Sequence, residues 1–218
     1  MKRLLFITLI ILLIILSIFK VDASIVEFPL IGKTIILDAG HGGKDVGASY
    51  SSIKESDLNL SITLKLKESL EQEGAIVLLT RTNSNDLSNP NALYRKKSDF
   101  DNRIKLINNS HSDMYLSIHQ NIYPNKKYYG PMVYYYPKIK DNEIIAKTIQ
   151  KELNKYTNTN RNIKIITGTY MYDKLNIRGV LIECGFLSND NERNKLIDDK
   201  YQSNFTKIIT KSIIKYFS

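Results

Sequence analysis

From Thr34 onward, short apolar runs alternate with longer segments in which apolar and polar positions are mixed. Thr34-Ile-Ile-Leu37, Ala75-Ile-Val-Leu-Leu-Thr80, Met114-Tyr-Leu-Ser-Ile118, Pro131-Met-Val-Tyr-Tyr-Tyr136 and Gly179-Val-Leu-Ile182 have the length and side-chain content of strands. Tyr94 to Asn108 reads as a helix with Arg, Lys and Asp on its polar side. Asn142 to about Tyr156 reads as another, with Asp141 as its cap and Ile144, Ile145, Ile149 and Leu153 on one face. Asp190 to Ile197 and Tyr201 to Tyr216 close the chain as helices. Strands alternating with helices predict an α/β fold: one domain, with a mostly parallel central sheet flanked by helices.

One segment fits two periods. Leu58, Leu60, Ile62, Leu64 and Leu66 alternate with polar residues, as in a strand, and also supply the helical rows Leu58-Ile62-Leu66-Leu70 and Leu60-Leu64. Its length, the scarcity of β-branched residues, Ser56 as a cap and Gly74 as a stop favour a helix.

The N-terminus is different. Met1-Lys2-Arg3 is basic, and Leu4 to Phe19 is an apolar run broken only by Thr8 and Ser17, closed by Lys20 and followed by Val21-Asp22-Ala23. Its length lies between that of a signal-peptide core and a minimal membrane span. Residues 1–23 are therefore a signal peptide or a retained membrane anchor, and either places the rest outside the cytoplasm. Ser24 to Lys33, with Pro29 and Gly32, reads as a linker, leaving 34–218 as the folded domain.

The 218-residue chain carries a formal charge of +9, and removing residues 1–23, with three Lys/Arg and one Asp, leaves +7. A basic exported protein suits an anionic cell envelope, although Lys scattered among Ile, Asn and Tyr also has the look of compositional bias. No dense basic run with interleaved aromatics points to nucleic acid. The single cysteine, Cys184, rules out an intramolecular disulfide and reads as a small buried residue, with a reactive thiol as the minor alternative.

Candidate chemistry gathers at the ends of the apolar runs. Asp38-Ala-Gly-His-Gly-Gly43, Ser117-Ile-His-Gln-Asn121 and Ile182-Glu-Cys-Gly-Phe186 each place a metal-type or acid/base side chain there, and Lys54-Glu55 opens the amphipathic segment. A strand that ends in His or Glu delivers that group to the carboxyl edge of a sheet, where sites form in open α/β folds. Two His and two Glu converging there can hold one zinc and leave one carboxylate for proton transfer. His41 lies among three glycines, which allow a tight turn and a close approach. His111 sits in a turn-rich connection and reads as structural or exposed. Taken alone, Glu55 is also an ordinary first-turn glutamate. Glu183 closes a buried strand, where a carboxylate must be paired, protonated or metal-bound.

The chain resembles the zinc-dependent N-acetylmuramoyl-L-alanine amidases of bacterial cell walls. The motifs that carry the likeness are Ile36-Leu-Asp-Ala-Gly-His-Gly-Gly43, Lys54-Glu55, Thr80-Arg81, Arg103, Ser117-Ile-His-Gln-Asn121 and Leu181-Ile-Glu-Cys-Gly-Phe186, spread from about Lys33 to the C-terminus. The resemblance implies a three-layer, phosphorylase/hydrolase-like sandwich and one Zn2+ held by His41, Glu55 and His119. It implies that Glu183 is the catalytic carboxylate, taking a proton from water and passing it to the leaving amine. The bond implied joins the lactyl group of N-acetylmuramic acid to L-alanine of the stem peptide in peptidoglycan. Asp38 and Asn121 become candidates for orienting a ligand or the substrate, Asp38 equally a turn-capping residue. Arg81 and Arg103 either form structural ion pairs or meet stem-peptide carboxylates. Gln120 stands where a small residue is common, and Cys184 is a second departure; neither touches the implied chemistry. Within the family the chain is most similar to sporulation-type amidases of spore cortex, whose action precedes formation of the muramic-δ-lactam read at germination. That implies peptidoglycan as partner, an activating envelope protein, membrane contact if the N-terminal segment is uncleaved, and no nucleic acid. The alternatives are another zinc hydrolase of the wall, a peptidase or deacetylase, and a non-catalytic wall-binding homologue.

Overall fold

A computed structural model describes residues 27–218 continuously and, before them, residues 2, 3, 5–8, 10 and 11, which are helical. Most of the segment read as a signal peptide or anchor lies outside the described residues, and no helix among the described residues is long and apolar enough to cross a membrane. Within the stretch read as a linker, Leu30 is fully buried, and its N–H donates to the Glu73 carbonyl at 2.9 Å.

The strands are β1 (Thr34–Ala39), β2 (Ser49–Tyr50), β3 (Ile53–Lys54), β4 (Ile76–Leu79), β5 (Met114–Asn121), β6 (Met132–Tyr135), β7 (Lys164–Ile165) and β8 (Gly179–Phe186). The helices are α1 (Glu55–Gln72), α2 (Arg95–Asn109), α3 (Lys140–Thr157), α4 (Asp190–Leu196) and α5 (Asp199–Phe217). Six strands form one sheet in the order β4-β1-β5-β8-β6-β7, and β2 pairs with β3 in a small hairpin. Every pairing in the large sheet is parallel except β6 with β8. Helices α1, α3 and α5 cover one face and α2 with the segment around Tyr172 covers the other, so the expected three-layer α/β architecture is the one observed.

The pleat sorts the side chains. Ile35, Leu37, Met114, Leu116, Ile118, Val180, Ile182 and Cys184 pack on the α1/α3/α5 side, while Ile36, Tyr115 and Leu181 pack on the α2 side. By the same period of two, Asp38, Ser117, His119 and Glu183 share the α2 face. The register sets Asp38 beside Ser117 and His119 beside Glu183. Apolar burial thus delivers the polar groups to one end of one face.

The segment with two periods is helix α1, with Leu58, Ile62, Leu66 and Leu70 buried and Leu64 exposed. Its N-cap is Lys54 without a side-chain bond, so Ser56 lies inside the first turn and is not the cap. Asp141 likewise does not cap α3, which begins at Lys140; it pairs with Arg178 at 2.8 Å. Ile145, Ile149 and Leu153 are buried as expected, whereas Ile144 is exposed and lies off that face. Strands β5 and β8 continue past the apolar runs to Asn121 and Phe186, because polar residues near a sheet's carboxyl edge still complete the hydrogen-bond ladder.

Candidate metal centre and active site

His41, Glu55 and His119 arrive from the β1–β2 connection, the first residue of α1 and the end of β5, and their donor atoms all lie within 4.8 Å of one another. His41 Nε2 is 3.3 Å and His119 Nδ1 3.0 Å from Glu55 Oε1. The two imidazoles meet edge to face, with ring centroids 5.0 Å apart. These three residues form a possible metal-binding triad.

Backbone geometry makes the convergence. His41 itself takes the left-handed conformation at φ 62°, as Gly43 does at φ 58°. Such a conformation in a non-glycine residue is uncommon and costs energy that surrounding contacts must supply. Here Arg103 Nη2 donates to the His41 carbonyl at 2.5 Å. Gly40 is required for a different reason: a Cβ there would sit 2.2 Å from His119 Nε2. Gly47, at φ +68°, leaves room for Glu55, since a Cβ would lie 2.5 Å from Oε2.

Glu55 is held from several sides. Oε2 accepts the Ala48 N–H at 2.7 Å, and Oε1 accepts the Gln120 N–H at 3.0 Å and the Asn59 amide at 3.4 Å. Burial would raise its pKa, but the hydrogen bonds and charges of His119 and His41 outweigh burial and hold the carboxyl well below its usual range. His41 feels the opposite balance. Burial lowers its pKa, but Glu55 and then Asp45 raise it by more, for a net upward shift. Asp45 Oδ1 stands 3.1 Å from His41 Nδ1, on the edge of the ring away from Glu55.

Glu183 lies on the strand adjacent to His119 and in register with it, which puts the two Cα atoms roughly 5 Å apart. Its Oε2 is buried without a hydrogen-bond partner. Burial lifts its pKa to about 7 against the pull of His119, with the nearby Glu55 charge adding to the rise. A carboxyl poised near neutrality beside a metal-binding triad suits proton transfer. A cavity of about 220 Å3 lies against His41 and His119, walled on the far side by Phe100, Met171, Tyr172 and Leu181.

The remaining sequence candidates sit behind this front. Asp38 is buried and accepts from Arg103 at 2.6 Å, Thr80 Oγ1 at 2.8 Å and Ser117 Oγ at 2.8 Å. Arg81 is buried as well and donates to the carbonyls of Ala39, Gly40, Ser56 and Asn83. Burial and the Arg103 charge bring its pKa down to about 10. Both arginines therefore spend their donors within the protein, Arg103 on Asp38, Asp99 and the Ala39 and His41 carbonyls, and Arg81 on four carbonyls around the His41 and Glu55 segments. Asn121 ends β5 beside Phe186, and its carbonyl accepts the Leu187 N–H at 2.8 Å. His111 is exposed in its connection, and Cys184 is buried, which pushes its thiol pKa upward and away from reactivity. Sequence reasoning missed Asp45, Gly47 and Asn59. A signal was present for Asp45, a carboxylate four residues after His41 in the same glycine-rich loop.

Known proteins share both the sequence and the shape. Residues 35–215 match the family model described as N-acetylmuramoyl-L-alanine amidase. The germination-specific N-acetylmuramoyl-L-alanine amidase of Bacillus subtilis is 40% identical over 196 residues, 88% of this chain and 83% of that protein. Among solved structures, the CwlD amidase from Clostridioides difficile, in complex with the GerS lipoprotein, superposes with a TM-score of 0.80 at 42% identity, covering 84% of this chain and 98% of that one. An N-acetylmuramoyl-L-alanine amidase from Clostridium difficile 630 gives 0.74 at 31% identity, over 84% and 96%. The matched span runs from β1 to the last turn of α5 and takes in all four converging groups, so the chain belongs to the N-acetylmuramoyl-L-alanine amidase family.

Proposed function

We propose that the chain is a zinc-dependent amidase that cleaves the bond between the lactyl group of N-acetylmuramic acid and L-alanine in peptidoglycan. His41, Glu55 and His119 hold the metal, and Glu183 carries the proton. The observation that supports this most directly is the pairing of a convergent His/Glu/His triad with a buried, unpartnered Glu183 in register beside it. The donor set fits the ion: two imidazoles and one carboxylate are a catalytic zinc set, which leaves a position open. When bound, zinc supplies Lewis-acid polarisation and a lowered pKa for water.

The chain's own residues do the rest. Glu55 stays ionised because His119 and His41 hold its carboxyl low against burial, and the Ala48 and Gln120 amides fix its two oxygens in place. Asp45 accepts a hydrogen bond from His41 Nδ1–H and so turns Nε2 toward the centre. Glu183 accepts a proton from the attacking water and delivers it to the departing L-alanine nitrogen.

Digestion of purified peptidoglycan tests the bond. The expected products are new L-alanine amino termini and intact glycan; released acetate or D-amino acids would instead point to a deacetylase or peptidase. Treatment with a chelator should abolish the reaction, and added zinc should restore it. Asp45→Ala is expected to weaken zinc affinity by roughly 10–100-fold, measured by competition with a chromogenic chelator. Unchanged affinity would remove Asp45 from the site.

The biological setting proposed is spore cortex, outside the cytoplasm, preparing the muramic-δ-lactam used at germination. The germination-specific relative supports it. Cortex from a strain lacking the protein should be depleted of muramic-δ-lactam, and unchanged content would reject the role. The structural neighbour's complex with a lipoprotein supports an activating envelope partner for this chain also. Residues 1–23 are proposed as the export signal or anchor and 34–218 as the catalytic domain.

A further inference from the structure

Three connections carry the proposed site residues, and the same three build a second feature. The β2–β3 hairpin, which leads directly into Glu55, presents Tyr50. The connection after β5 contributes Ile122, Tyr123, Lys126, Lys127, Tyr128 and Tyr129, and the end of β8 contributes Phe186. Tyr123 packs edge to face on Tyr128 at 4.6 Å, and Tyr128 meets Phe186 at 6.2 Å. Arg161 lies 5.5 Å over both Tyr128 and Phe186 and donates to the Tyr129 carbonyl. Arg193 sits 3.8 Å over the Tyr50 ring, and Lys126 Nζ reaches the Tyr50 hydroxyl at 3.4 Å.

This ridge is held in place on buried Phe186, with Tyr123, Tyr128 and Tyr129 open to solvent. Tyr123 N–H donates to Ser188 Oγ, the Asn189 amide donates to the Lys126 carbonyl, and buried Glu192 accepts from Gly130 and Phe186. Tyr123 and Tyr129 nevertheless leave 48% and 53% of their surface exposed. Contiguous exposed aromatic surface rimmed by polar groups marks a binding surface. Tyr123 lies two residues past the end of β5 and four past His119, so their Cα atoms are at most about 14 Å apart, within reach of an extended polymer that also occupies the site.

We infer that this aromatic–cationic ridge is a platform for the glycan strand of the substrate, an amino-sugar polymer that carries a lactyl carboxylate wherever a stem peptide has been removed. Tyrosine faces carry negative potential and pack against the C–H faces of pyranose rings. Lys126, Lys127 and Arg161 complement the lactyl carboxylates bared along the strand, while Arg193, paired with Asp190, holds Tyr50 in place. The inference rests on the amidase reading for its choice of polymer, but its test does not require turnover.

The experiment measures binding of peptide-free glycan strands, whose lactyl groups end in carboxylates, to the full chain by calorimetry. The wild type should bind, and the double variant Tyr123→Ala/Tyr129→Ala should bind about tenfold more weakly or worse, as expected for two lost aromatic contacts. Its zinc content and Tm should be unchanged, and Tyr123→Phe/Tyr129→Phe should restore affinity. No binding by the wild type overturns the inference. Equal binding by the double variant also overturns it and leaves the ridge to a protein partner. Strand binding without release of L-alanine amino termini from whole peptidoglycan would reject the amidase reading and retain the platform.

Discussion

Glu183→Gln should abolish turnover while leaving the metal in place, whereas His119→Ala should lose both. The two residues are register neighbours on β8 and β5, yet they face different demands. His119 turns Nδ1 toward Glu55 and belongs to the triad. Removing it leaves two donors, too few for a closed zinc set. Glu183 keeps an oxygen buried and unpartnered, and glutamine preserves its volume while losing the capacity to accept and return a proton. The expected fall in kcat is roughly 10²–10⁴-fold, the usual contribution of general acid–base catalysis, with zinc content near one ion per chain by elemental analysis. If Glu183→Gln instead emptied the site, Glu183 would be a ligand. The pH profile gives a second check. Burial raises the Glu183 carboxyl from the ordinary glutamate value of 4.5 to about 7, and a bound cation favours the ionised form. The acid limb of kcat/KM should therefore fall between those two values, with activity lost as the pH drops and Glu183 takes its proton.

Much of this was legible in the chain because apolar burial and catalytic placement use the same strands. Ile36, Tyr115 and Leu181 fix the pleat, and the pleat fixes where Asp38, His119 and Glu183 point. Glu55 was harder to read. A glutamate at a helix start is favoured by the helix dipole whether or not it meets a histidine, so its partners had to come from distant segments. The role of Gly40 was hidden for a similar reason, since the atom it makes room for belongs to His119, on another strand. Helix α2 was only partly legible: a structural ion pair was one of the two readings of Arg103, but its partners were not identified. Asp99 and Arg103, spaced as an exposed i, i+4 pair, are buried against the sheet, because Asp38 waits across the interface. A periodicity argument counts charged positions as solvent-facing and cannot see a countercharge delivered by another element.

That buried network supports the second large effect. Arg103→Met should destabilise the fold by about 3–5 kcal/mol, the usual result of removing one partner from a buried ion pair. Arg103 donates to Asp38 at 2.6 Å, to Asp99 at 2.9 Å and to the Ala39 carbonyl at 2.8 Å, and is 1% exposed. Methionine fills much of the volume but leaves two buried carboxylates without their cation. For a domain of this size the loss corresponds to a Tm lower by roughly 6–20 °C. The sign of the pH dependence separates this cause from simple loss of packing. In the wild type, burial raises the Asp38 pKa, but Arg103, Thr80 and Ser117 bring it below the ordinary aspartate value of 3.8. That stabilisation is present above 3.8 and is lost as pH falls through the lower folded value. In Arg103→Met the burial effect prevails, the folded pKa of Asp38 rises above its unfolded value, and the penalty is greatest at neutral pH. The stability gap between variant and wild type should therefore narrow on acidification toward the carboxylate range, as urea denaturation at a series of pH values would show. Adding Asp38→Asn should recover part of the loss at neutral pH, because it removes one of the two stranded charges. A gap independent of pH, or a single variant within 1 kcal/mol of wild type, would mean that Arg103 holds the His41 loop by shape rather than by charge.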